Sequence, residues 1–137
     1  MLRVVLDPGV LVSAVISPTG APAEVLDAWR EGQFDAVVSP KLLDELEDVL
    51  LRPKFRVYAS VDEVGTYVEA LAAGAVAFDD PAEPPRVTRD PGDDYLLALA
   101  RAAQADAIVS GDKHLTQLAD VAVPVMSPRE LLGTLER

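Results

Sequence analysis

The sequence predicts an α/β protein: a three-layer α/β/α fold with a central, mostly parallel five-stranded sheet. Three observations carry that expectation. Short β-branched and aliphatic runs alternate with amphipathic helical stretches along the chain. The strand runs are continuously apolar, as strands covered on both faces require. No internal repeat or interdomain linker interrupts the alternation, so residues 1–137 read as one domain, long enough to bury a real core.

Arg3 to Leu6 (RVVL) is the first strand and ends at Asp7. Val10 to Ile16 is a short apolar helix packed on the sheet. Pro18, Gly20 and Pro22 mark a loop, and Ala21 to Glu31 is a helix with Val25, Leu26 and Trp29 on one face. Gly32 is placed to end it. Phe34 to Ser39 forms the second strand. Ser39 is then an N-cap and Pro40 a first-turn residue, so a helix is predicted from Pro40 to about Leu51. Its buried stripe is Leu42, Leu43, Leu46, Val49 and Leu50, with Glu45 inside that spacing. Arg52-Pro53 ends it, and Lys54 to Arg56 adds a basic patch.

Val61 to Gly74 is a further amphipathic helix with Asp62 and Glu63 in its first turn. Ala75 to Phe78 is the third strand and the Pro-rich Asp79 to Pro85 a loop, after which Val87-Thr88 pair briefly. Pro91 and Gly92 break the chain ahead of a helix from Tyr95 to Ala105, with Asp93 or Asp94 as its N-cap. Ala107 to Ser110 is the fourth strand and delivers Gly111 and Asp112. His114 to Leu118 is a short helix, Val123 to Met126 the fifth strand, and Ser127-Pro128 starts a last helix to about Leu135.

Composition narrows the function. The net charge is −11, from 12 basic and 23 acidic residues. Phosphate backbones repel such a chain unless cations neutralise the binding surface, which argues against a simple nucleic-acid-binding module. A metal-dependent enzyme or a basic protein partner is compatible with it. Without cysteine there is no disulfide framework, thiolate ligand or thiol nucleophile, and one histidine is too few for a His-rich zinc site. No apolar run approaches the ~20 residues of a bilayer span. Asp7, Pro8 and Gly9 interrupt the apolar start, so it reads as strand and helix and not as a signal peptide. A cytoplasmic protein without membrane association is expected.

Four acids arrive where an α/β fold builds sites. Asp7 ends the first strand, Asp112 follows the fourth, Asp94 opens the helix between them, and Glu45 comes from mid-helix. Each alone has a structural explanation, as a cap, a turn former or a partly exposed helix residue. Their joint placement favours a site. Carboxylates gathered together need a compensating cation, and hard oxygen ligands select Mg²⁺ or Mn²⁺. Such ions promote phosphodiester hydrolysis.

The segments VVLDPGVLVSA, LLDELEDVLLRPKF, RDPGDDYLLALA and IVSGDKHL closely resemble the PIN-domain family. They match the branch of VapC-like ribonucleases, the toxin components of toxin–antitoxin pairs. The resemblance runs in order from Leu2 to about Leu118. It implies a PIN fold, Mg²⁺- or Mn²⁺-dependent endoribonuclease activity on RNA, a homodimer, and inhibition by a small antitoxin. Carried over residue by residue, the family's acidic quartet falls on Asp7, Glu45, Asp94 and Asp112. Asp7, Asp94 and Asp112 are the implied metal ligands, with Glu45 completing the site. Asp93 and Asp90 stand behind Asp94 as second-line acids. Ser13 and Ser110 match small polar positions that can orient an acid or a water.

Two departures from the family pattern stand out. The polar residue and Asn that usually follow the first Asp are Pro8 and Gly9, and Gly9 lacks the side chain that would bond a neighbouring acid. After Asp112 the common Lys-Asp is Lys113-His114, and His114 reads first as a surface or capping residue. Arg52, Lys54, Arg56, Arg86, Arg89 and Lys113 are candidate RNA contacts. The competing reading is a catalytically weak PIN-like binding or regulatory protein. An aspartyl-phosphate phosphatase or receiver-like domain is disfavoured, because Asp7-Pro8-Gly9 lacks the second Asp of such phosphatases and leaves Glu45 and Asp94 unexplained.

Overall fold

The computed structural model describes residues 1–80, 91–111 and 123–135, and the side chains of residues 91–94 are outside that description. Five strands form one sheet: β1 (Arg3–Leu6), β2 (Asp35–Val38), β3 (Val76–Ala77), β4 (Ala107–Val109) and β5 (Val125–Met126). Their order is β3-β2-β1-β4-β5 and all four pairings are parallel. The mostly parallel sheet expected from the sequence is therefore parallel throughout. Val4, Val5 and Leu6 of β1 are each no more than 2 % exposed. Successive strand residues face opposite sides, so both faces of β1 are covered, as a three-layer fold demands.

The helices are α1 (Pro8–Ile16), α2 (Ala21–Arg30), α3 (Pro40–Leu50), α4 (Val61–Gly74), α5 (Pro91–Ala102) and α6 (Pro128–Leu135), with a 3₁₀ turn at Pro53–Val57. α1 packs on α2 and α3, α2 on α6, and α3 on α4, while α5 lies against β1 and β4. Gly32 ends α2 in the left-handed conformation expected of it, at φ +78°. Leu42, Leu46 and Leu50 form the buried stripe of α3, with Leu43 and Val49 half-buried beside it. Trp29 is only half-buried, and the neighbouring Ala28 occupies the core side of α2 instead.

Two helices start earlier than the sequence reading placed them, and proline is the reason in both. α1 begins at Pro8, two residues before Val10, with Asp7 as its N-cap. α5 begins at Pro91, four residues before Tyr95. Proline at a first helical position has no N–H to waste and a φ already suited to the helix. Pro91-Gly92 therefore opens α5, where it was expected to break the chain. Asp93 and Asp94 sit within the first turn and are not its N-cap. α5 also closes sooner, with Gln104 at φ +53° and the Ala105 N–H bonded to the Ala100 carbonyl at 2.9 Å. The expected pairing at Val87-Thr88 and helix at His114–Leu118 fall outside the described residues. Among the described residues no single helix is long and apolar enough to cross a membrane.

Candidate active site

Sheet order decides where a site forms. β2 and β3 lie on one side of β1, and β4 and β5 on the other. The chain thus reverses its direction of sheet building between β1 and β4. Open α/β sheets bind ligands in the crevice beyond the carboxyl ends of two such strands. Asp7 and Ser110 are the residues immediately after β1 and β4.

The two are joined there. The Asp7 N–H donates to the Val109 carbonyl at 2.9 Å, extending the β1–β4 ladder by one bond. The Ser110 hydroxyl, fully buried, donates to Asp7 Oδ2 at 2.7 Å. The backbone N–H of Gly9 donates to Oδ1 at 2.8 Å, the bond by which Asp7 caps α1. One donor on each oxygen, one from each side of the switch point, fixes the rotation of the carboxylate.

Glu45 reaches the same place from α3, which starts at the carboxyl end of β2. The first turn of α3 is satisfied donor by donor. Pro40 has none, the Lys41 N–H donates to Asp80 Oδ2 at 2.8 Å, and the Leu42 N–H donates to the buried Ser39 Oγ at 3.2 Å. A helix so anchored carries Glu45 to a cavity of about 220 Å³ lined by Asp7, Pro8, Gly9, Val12, Glu45 and Val49. Two carboxylates share this cavity among the described residues, and none of its described lining residues has a cationic side chain.

Tyr95 is the contributor that sequence reasoning missed. It stands one residue after Asp94 in a run of buried apolar residues, and its hydroxyl donates to Glu45 Oε2 at 2.8 Å. Burial, the hydrogen bond to Glu45, and the negative field of Glu45, Asp7 and Asp80 hold this hydroxyl far above the ordinary tyrosine range. It therefore stays protonated and remains a donor. The Lys41 ammonium lies over its ring, 4.6 Å from the centroid. Asp80 Oδ1 is buried and has no hydrogen-bond partner among the described residues. The available signal was the polar tip of Tyr95 in the stretch YLLALA, because a buried tyrosine hydroxyl needs a partner.

The structure thus brings Asp7 and Glu45 onto one cavity and bonds Ser110 to Asp7. Asp90, Arg86, Arg89, Asp112, Lys113 and His114 lie outside the described residues, as do the side chains of Asp93 and Asp94. Among the described residues no group of three or more acids or histidines forms a metal cluster. Ser13 is half-buried further along α1 and is not among the residues lining the Asp7 cavity. Of the basic patch, Arg52 is exposed and Lys54 lies over the Phe55 ring at 5.2 Å. Arg56 is drawn back onto α3, donating to the Leu50 carbonyl at its carboxyl end. A larger cavity of about 350 Å³, bordered by Ala14, Leu26, Tyr58 and Tyr67, has none of the predicted site residues among its described lining.

Comparison with known proteins agrees with this architecture. Residues 3–114 match the family model described as PIN domain. The chain is 28 % identical over 145 residues to the uncharacterized protein MJ1680 of Methanocaldococcus jannaschii, covering 99 % of this chain and 93 % of that one. Its fold resembles the crystal structure of PAE2754 from Pyrobaculum aerophilum, with a TM-score of 0.66 and 15 % identity over 98 % of this chain and 90 % of the other. It also resembles VapBC2 from Rickettsia felis, whose crystal structure is bound to a DNA fragment from its promoter. There the TM-score is 0.63 at 12 % identity, over 90 % of this chain and 98 % of the other. With a family model matched across most of its length and the same fold in solved relatives, the chain belongs to the PIN-domain family, whose members are generally nucleases.

Proposed function

We propose that this protein is a divalent-metal-dependent endoribonuclease, the toxin of a toxin–antitoxin pair, held in check by a small protein partner and working as a homodimer. One observation carries the catalytic part. The Asp7 carboxylate is clamped by Ser110 and Gly9 at the topological switch point and opens, with Glu45, onto one cavity. The likeness to VapBC2 supports the toxin reading.

The donors present fit Mg²⁺ or Mn²⁺. They are carboxylate oxygens, facing a cavity whose described lining residues include no nitrogen- or sulfur-bearing side chain and no cationic one. Asp7, Asp94 and Asp112 would hold the ion, with Glu45 completing the site directly or through water. Such an ion supplies Lewis acidity, making a bound water nucleophilic and offsetting charge on the phosphate. The chain's own part is positional: Ser110 and Gly9 fix Asp7, Tyr95 fixes Glu45, and Val12 and Val49 wall the cavity with apolar surface. Arg52, Lys54, Arg89 and Lys113 are the basic residues proposed to meet the RNA backbone.

The test is cleavage of a mixed RNA pool with and without Mn²⁺, wild type beside Asp7→Asn and Asp94→Asn. Asparagine caps helices as well as aspartate does, so Asp7→Asn keeps α1 while removing the charge. Mn²⁺-dependent cleavage lost in both variants is expected. Cleavage unaltered in either variant refutes that residue's assignment, and RNA binding without cleavage by the wild type favours the regulatory reading.

A further inference from the structure

Glu45 is an exposed residue on a helix, and a glutamate there has much rotamer freedom to lose before it can act as a fixed ligand. Packing around Glu45 does not supply that order. Tyr95 does. Its ring is 3 % exposed, so its hydroxyl is positioned by the core and not by the surface. Within the buried run Tyr95–Ala100 it is the residue that ends in a polar atom, and that atom is spent on Glu45 Oε2. The ring is pinned on its outer face by the Lys41 ammonium, and Lys41 is itself tied through its backbone to Asp80. The hydroxyl thus has a fixed origin, and the carboxylate it binds faces the cavity shared with Asp7.

Resting on the cation-dependent reading above, we propose that Tyr95 is a positioning residue for the divalent-cation site, holding the Glu45 carboxylate in the orientation that faces Asp7. It touches neither the ion nor the RNA and acts through Glu45. Partners that orient ligands in this way typically change metal affinity by ~10–100-fold when removed.

The experiment is calorimetric titration of the RNA-free full chain with Mn²⁺, for wild type, Tyr95→Phe, Glu45→Ala and the double variant. Tyr95→Phe keeps the ring, its packing and its contact with Lys41 while deleting the hydroxyl. The expected result is Mn²⁺ binding weakened about tenfold in Tyr95→Phe, with no further weakening when the same change is made on Glu45→Ala. A merely structural tyrosine would weaken both backgrounds alike, and that outcome overturns the proposal. So does Tyr95→Phe binding Mn²⁺ as tightly as wild type. If Tyr95→Phe does not fold, Glu45→Asp withdraws the carboxylate by one methylene and must give the same loss. A wild type that binds no Mn²⁺ refutes the cation-dependent reading itself, and this proposal falls with it.

Discussion

The Ser110 hydroxyl donates a 2.7 Å hydrogen bond to Asp7 Oδ2, joining two residues 103 positions apart in sequence. Sheet order is what makes them neighbours. β1 and β4 pair in parallel with Leu6 opposite Val109, so the next residue of each strand emerges at the same edge. The bond is a product of topology, and it can be probed without touching the carboxylate.

Ser110→Ala removes one of the two donors to Asp7 among the described residues. Loss of such a bond costs about 1 kcal/mol of stability. Cleavage should fall further, by about tenfold, because the remaining Gly9 N–H leaves Oδ2 free to turn. Denaturant unfolding and cleavage kinetics on the same preparation separate the two effects. Cleavage unchanged at reduced stability would show that Ser110 serves the fold alone.

The cap on α3 offers a second probe of the link between fold and site. Ser39 is 1 % exposed and its Oγ accepts the Leu42 N–H. Ser39→Ala should cost about 1–2 kcal/mol, lowering the melting midpoint by several degrees. Ser60→Ala is the control. Ser60 and Glu63 form a capping box on α4, which carries none of the candidate acids. Both variants lose stability, but only Ser39→Ala should also lose cleavage, since Glu45 rides on α3. Equal cleavage in the two would separate the cap from the site.

Most of the fold was legible because parallel strands buried on both faces are written as apolar runs. RVVL, DAVV and AIV leave little ambiguity about β1, β2 and β4. Helix starts were harder. Pro8 and Pro91 read as breaks in sequence, yet each is the first residue of a helix, because proline stops a helix arriving from before it and suits one that begins with it. Asp7 was legible from its place at the end of β1, Glu45 from its place inside the apolar spacing of α3, and Ser110 from the family resemblance. What could not be read was the pairing of side chains across the chain. Tyr95 and Glu45 are 50 residues apart, and no local pattern couples a tyrosine on α5 to a glutamate on α3.

Gly9 is where the sequence departs from the family pattern, and the structure shows room for a Cβ there. A Cβ at position 9 would meet Asp7 Oδ1 at 3.5 Å and Cγ at 4.0 Å, ordinary van der Waals contacts. The Cβ of Gly9→Asn therefore does not displace Asp7, and narrowing the unfolded chain's freedom should stabilise the protein by about 0.5 kcal/mol. An asparagine at this point also places an amide beside the carboxylate, so Mn²⁺ affinity and cleavage should rise together. A variant that is stabilised but cleaves less would mean that the space beside Asp7 is needed open for substrate.

Divalent ions should stabilise the fold itself. Asp7 and Glu45 face one cavity whose described lining residues carry no positive charge, so an ion that binds there relieves repulsion present only in the folded chain. An ion at one hundred times its dissociation constant contributes about 2.7 kcal/mol, which for a chain of this length raises the melting midpoint by roughly 10 °C. Chelation with EDTA should reverse the shift completely. Ca²⁺, larger and content with looser oxygen cages, should stabilise less than Mn²⁺ at equal concentration if the site is built for a small ion. Asp7→Asn separates this effect from ions held at the acidic surface, because it keeps the cap on α1 and changes the net charge by a single unit. A midpoint that rises equally in wild type and Asp7→Asn would place the binding elsewhere on the protein.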